Sequence, residues 1–163
     1  MKGSDKFLVA IVGGIVLLVV AAIVITLTRP EPTYMPEYTP EGIVHNYLLA
    51  LEKEEYDRAY SYLSPDIENY PSSLNAFRRE IADNPWSFRN DMNATLAVGE
   101  TIIIGDFATA TIYETRFRGG DLFEFGPSSY AFDMDLEIIK SEWKIVDSHY
   151  YFAWCWNQGD GCN

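Results

Sequence analysis

The sequence predicts an α+β domain carried behind one apolar N-terminal helix. Three observations predict it. Residues Phe7 to Thr28 are 22 uncharged, mostly apolar residues in a row. Between residues 40 and 85 apolar side chains recur at helical spacing, and from Met92 onward they recur every second residue. Helices followed by consecutive strands joined through short turns is an α+β pattern, with two to three helices packed on an antiparallel sheet.

As a helix, the first run is about 33 Å long, enough to cross a hydrocarbon core of about 30 Å. A transmembrane helix is therefore expected over residues 7–28, with residues 1–6 as a short tail. The apolar part of a cleaved signal peptide is shorter, about 7–15 residues, and ends at a small-x-small site. Ile25-Thr26-Leu27-Thr28-Arg29-Pro30 offers no such site, and no cysteine follows to accept a lipid. Lys2 and Lys6 precede the run, while Arg29 is trailed by Glu31 and Glu37. That asymmetry favours a cytoplasmic N-terminus, a single pass through the cell membrane and an extracytoplasmic C-terminal domain.

The chain has 163 residues and a formal charge of −12. From Glu31 onward 23 acidic residues face 9 basic ones, so the soluble part carries −14. Such a field excludes nucleic-acid partners, whose phosphates need Lys and Arg stripes, and opposes lying flat on anionic lipid. Cys155 and Cys162 bracket Trp-Asn-Gln-Gly-Asp-Gly, whose glycines and Asn/Asp suit a tight loop. Outside the cytoplasm this spacing points to a disulfide; free thiols are the alternative, and two thiols without a nearby His fall short of a metal's four ligands.

The elements follow in order. Residues 29–39, with three prolines, read as an extended stalk, and residues 40–163 as the domain. Tyr34, Met35 and Tyr38 are more apolar than a spacer needs, and packing on the chain's own domain is expected of them. Thr39 is the N-cap of a helix with Pro40 in its first turn and Ile43, Val44, Tyr47, Leu48 and Leu51 along one face. Tyr56, Ala59, Tyr60 and Leu63 repeat the pattern until Ser64-Pro65. A third helix starts near Ser72 or Ser73 and stops at Asn84-Pro85. Ala94, Leu96 and Val98 then open the strands, and Phe107 to Phe117 continues them. Arg118-Gly119-Gly120-Asp121 turns into Leu122 to Phe125. Tyr130, Phe132, Met134, Leu136 and Ile138 alternate with largely acidic residues, and Lys140-Ser141-Glu142 turns into a last strand over Trp143 to Trp154.

Three segments, GIVHNYLLALEKEEYDRAYSYLSPD, FRREIADNP and the closing hairpin FDMDLEIIKSEWKIVD, resemble the nuclear transport factor 2-like superfamily, which includes ketosteroid isomerases. The resemblance spans residues 40–154. It implies a curved antiparallel sheet wrapped around helices as a cone. It also implies that any enzyme activity would use an acid/base carboxylate or His inside the cone, with a Tyr donor. No catalytic motif of that superfamily accompanies it, and the fold hosts enzymes, ligand binders and interaction modules alike.

On that frame Asp147, His149 and Tyr151 are the candidate catalytic residues, sharing one face of the last strand. With a two-residue Ser141-Glu142 turn, Asp147 faces Leu136 and His149 faces Met134, inside an apolar cavity. A three-residue turn shifts the register and turns Asp133 and Asp135 toward that face instead. The bland reading leaves Asp147 and His149 at the rim or in solvent. His45 lies off the apolar stripe of its helix, an edge residue. Asp133-x-Asp135-x-Glu137 projects three carboxylates from a flat strand, which lacks the curl of a calcium loop. Asn93-Ala94-Thr95 is a glycosylation sequon. Tyr150, Phe152, Trp154 and Trp156 form an aromatic cluster of the kind that fills cores and marks interfaces.

The resulting expectation is a membrane-anchored binding or assembly module, such as an accessory subunit of a larger membrane complex. Its partners are the lipid bilayer through residues 7–28 and a protein at the membrane, and it needs no cofactor and no metal. The alternatives are a binder of a small hydrophobic ligand and an isomerase- or dehydratase-like enzyme.

Overall fold

A computed structural model describes residues 4–28, 32–89, 94–117 and 127–159. It separates into two compact units, residues 1–33 and 34–163. The first is α1 (Ser4–Leu27), whose side chains from Phe7 to Val24 are exposed. Among the described residues α1 is the one helix long and apolar enough to cross a membrane, a property that serves an anchor or a signal sequence.

The second unit has the expected α+β order. Helices α2 (Pro40–Glu52), α3 (Tyr56–Tyr62), α4 (Leu74–Asp83) and the single turn α5 (Pro85–Phe88) precede the sheet. Thr39 accepts from the Gly42 N–H, and Ser73 accepts from the Ala76 N–H, so both predicted caps are made. Strands β1 (Ala94–Ile104), β2 (Phe107–Phe117), β3 (Pro127–Ile139) and β4 (Glu142–Ser148) form a curved antiparallel sheet in sequence order. Gly105, with a φ of 61°, takes the first place of the β1–β2 turn, the position a II′ hairpin reserves for glycine. The Arg118 to Phe125 turn expected from sequence lies outside the described residues, as does Asn93 of the sequon.

One face of the sheet carries the core. Ala108, Ala110, Ile112, Phe132, Met134, Leu136 and Ile145 are buried against Val44, Tyr47 and Leu48 of α2. The opposite face is a polar ladder: Thr109 donates to Asp135 at 2.7 Å, Thr111 donates to Asp133 at 2.8 Å, and Thr115 pairs with Ser129. Past β4 the edge is capped by the chain after α3, where the Ser64 N–H donates to the Ile145 carbonyl at 2.8 Å.

The compact unit starts at Tyr34, inside the stalk expected over residues 29–39, in the part whose Tyr34, Met35 and Tyr38 are expected to pack on the domain. The Asn46 amide both accepts from the Met35 N–H at 2.7 Å and donates to the Met35 carbonyl at 2.8 Å. Tyr34 donates to Glu55, and the Arg58 guanidinium lies 3.3 Å from the centre of its ring. Glu37 accepts from Tyr62 and Arg58, and the Tyr62 hydroxyl above all holds its carboxyl below the usual range. Tyr38 stays exposed.

Candidate functional site

β4 ends at Ser148, six residues before the strand end expected at Trp154. The β3–β4 turn is Lys140–Ser141, with φ of 52° and 71°, the two positive values of a I′ turn, and not Ser141–Glu142. Leu136 therefore faces Ile145. A bulge between Asp135 and Leu136 then resets the register, so that Asp135 faces Asp147 and Met134 faces Ser148. Of the two registers open from sequence, the pairing of Leu136 with Asp147 and of Met134 with His149 does not form, and beyond the bulge the pairing is that of a three-residue turn.

Asp147 and His149 are both exposed, and only Tyr151 is buried. An Asp147 oxygen accepts from the Asn157 side chain and from the Ser148 N–H, while the His149 ring rests edge-on against Tyr150. Tyr151, at a φ of 58°, belongs to no strand. The three residues thus do not converge on one point, because the backbone folds over directly after Ser148. His45 is half-exposed, the edge position expected of it. Asp133 and Asp135 are engaged by the threonines of β2, and no group able to hold a metal occurs among the described residues.

The C-terminal aromatics divide sharply. Phe152 and Trp156 are fully buried, so of the two roles open to the cluster these two residues fill the core and do not offer the interaction surface named for them. Trp156 packs on Phe77, Phe88 and Phe152 at ring separations of 5.9, 5.8 and 4.6 Å, and its indole N–H donates to Glu80. Burial outweighs that bond and raises the Glu80 carboxyl. The segment is tied down by backbone too: the Tyr151 N–H donates to the Ser87 carbonyl, and Tyr47 donates to the Tyr151 carbonyl at 2.6 Å. Tyr150 is half-buried. Trp154, on the 3₁₀ turn Trp154–Asn157, is 59% exposed, and Trp86 on α5 is 80% exposed. Cys155 is buried and is no free thiol; Cys162 lies outside the described residues.

A charged cluster escaped sequence reasoning. Glu114 of β2 is fully buried and accepts from Arg89 at 2.7 Å and from Arg116 at 2.6 Å. Arg89 caps α5 with a φ of 52° and lies 3.3 Å from the Tyr150 ring centre and 4.7 Å from that of Tyr130. Both Glu114 oxygens are thereby compensated, which a buried carboxylate requires. Among the described residues the Arg116 Nη2 and the Tyr130 hydroxyl are buried without a hydrogen-bond partner. Burial, then Glu114, pushes the Tyr151 hydroxyl up to about 12. The available signal was phase: Glu114 continues the inward alternation of Ala108, Ala110 and Ile112. The cluster carries two cations and one anion, so it can hold a small anion by charge and donors.

No protein-family model matches the chain, and no curated protein does. Among solved structures it is similar to a SEC-C motif containing protein from Rhodopseudomonas palustris, at 13% identity and a TM-score of 0.48, covering 71% of this chain and 81% of that one. It is similar to a putative calcium/calmodulin-dependent protein kinase type II association domain from Thiobacillus denitrificans, at 16% and 0.47, covering 73% and 96%. It is also similar to an ntf2-like protein with a cystatin-like fold from Novosphingobium aromaticivorans, at 15% and 0.44, covering 66% and 75%. At such identities and TM-scores the functional reading rests on the chain's own residues.

Proposed function

We propose that the protein is a single-pass, membrane-anchored binding or assembly module of the nuclear transport factor 2-like kind, its domain on the extracytoplasmic side. It works by contact with a protein at the membrane. The observation that carries this is the exposure of Trp154 on a backbone held rigid by the buried Phe152 and Trp156 on either side. A large aromatic presented on a fixed turn loses little conformational freedom on binding, which is why such residues dominate interface energetics. General acid–base work needs titratable groups converging in a water-poor pocket, and Asp147 and His149 both face water.

The test is association in mild detergent. Trp154→Ala should shift the protein out of any larger assembly while Asp147→Asn and His149→Ala leave it in place. The reverse order of effects refutes the reading. A second reading, a small anionic ligand at Arg116 and Tyr130, is favoured by their two buried donors, which have no partner among the described residues. Native mass spectrometry separates the two, since a retained small molecule lost on Arg116→Gln supports the ligand.

A further inference from the structure

Resting on the anchor reading above, we propose that the β1–β2 hairpin tip is a second membrane contact. Ile102, Ile103, Ile104 and Phe107 bed in the interfacial layer of the bilayer that α1 spans. These four side chains are 56%, 53%, 74% and 58% exposed. Successive strand residues point to opposite faces, so three exposed isoleucines in a row mean that both faces of the tip stand clear of the core. Asp106 is the sole charge from Thr101 to Thr109, and the Asp106 carbonyl accepts from the Ile138 N–H. Elsewhere on β1 and β2 the outer face carries the Thr and Asp ladder, with Tyr113 as the further exposed large side chain among the described residues, so four of their five exposed large apolar side chains sit at this end.

A chain of neighbours leads from the tip toward the entry segment. Phe107 faces Glu137, and Glu137 faces Lys144. Lys144 donates to the Ser61 carbonyl, beside Tyr62, and its charge acts on Glu37 of the docked entry segment. Between Leu27, the end of α1, and Tyr34 lie six residues, a reach of roughly 20 Å when fully extended. So short a leash holds Tyr34 within roughly that distance of the end of α1. Apolar side chains on all sides of a tip suit an apolar medium. Pairing of β1 with β1 of a second copy would cover the sheet edge but leave Phe107, on β2, bare. The acidic domain repels anionic lipid, so the partner is a neutral bilayer.

The full chain in phosphatidylcholine nanodiscs carries a nitroxide at Ile103→Cys, with Val16→Cys and Thr95→Cys as separate labelled chains and the unsubstituted chain as labelling background. Collision with oxygen and with a water-soluble nickel complex reads the depth of each label. At position 103 the oxygen-to-nickel ratio should exceed that at exposed Thr95 several-fold. Adding Ile104→Asp and Phe107→Asp should return it to the Thr95 value. A label at 103 as wet as at 95, with 16 in lipid, overturns the tip contact alone. A label at 16 in water overturns the anchor and the tip with it. Dipolar broadening between labels at 103 overturns the proposal in favour of pairing between copies.

Discussion

Trp154 and Trp156 are separated by one residue, yet the 3₁₀ turn carries the first outward and sets the second among Phe77, Phe88 and Phe152. Trp156→Ala should therefore cost about 3–5 kcal/mol through the cavity it leaves. Trp154→Ala, Asp147→Asn and His149→Ala should each stay within about 0.5 kcal/mol, as surface changes do. Urea melts check both statements. Glu80 adds a pH dependence. Burial raises its carboxyl, so its contribution to stability is full in acid and is lost as pH rises through that raised value. Glu80→Gln keeps an acceptor for the Trp156 indole, and its advantage over the native protein should grow from pH 4 to pH 7. An advantage independent of pH contradicts this. Glu37 has the opposite sign: its lowered carboxyl supports the fold above the ordinary range, and that support is lost as pH falls through the lowered value.

At the scale of elements, the helices were legible because their ends are written locally, in Thr39-Pro40, Ser73 and Asn84-Pro85. Sheet order and the inward phase of β3 followed from alternation. The end of β4 was not legible, because nothing local in Val146-Asp147-Ser148 signals the bulge, and the turn after it is imposed by long-range bonds such as Ser148 to the Asp133 carbonyl. Glu114 was missed for a related reason: a charged residue in an inward phase reads as an interruption unless its partner Arg89, 25 residues earlier, is known. The entry segment makes a prediction of its own. A Cβ on Gly42 would stand 1.9 Å from the Pro36 carbonyl oxygen, so Gly42→Ala must lift the 34–39 strap. Asn46→Ala, which removes both bonds to Met35, should cost about 1–3 kcal/mol. Both variants should expose the strap to protease, and resistance equal to the native chain's would show that these contacts do not hold it. For the C-terminal loop, a Cys155–Cys162 bond should contribute about 2–3 kcal/mol. Intact mass should rise by two hydrogens on reduction, and an unchanged mass refutes the bond.

At the scale of the molecule, length and composition made α1 visible at once, since a bilayer's thickness sets the length of run that crosses it. Its orientation rests on three basic residues. A membrane-impermeant thiol reagent should label Tyr38→Cys on intact cells, and labelling only after lysis contradicts an extracytoplasmic domain. The candidate site was legible in kind but not in membership: an aromatic C-terminal cluster was foreseen, while its division into core and surface depended on a turn no local pattern announces. The central claim is action by contact through that surface. Its most direct test is a photo-crosslinking phenylalanine analogue at position 154, irradiated in intact native membranes. The account predicts one discrete protein adduct from position 154 and none from an analogue placed at Asp147. Irradiation that yields no protein adduct at 154, or equal adducts from both positions, would contradict it.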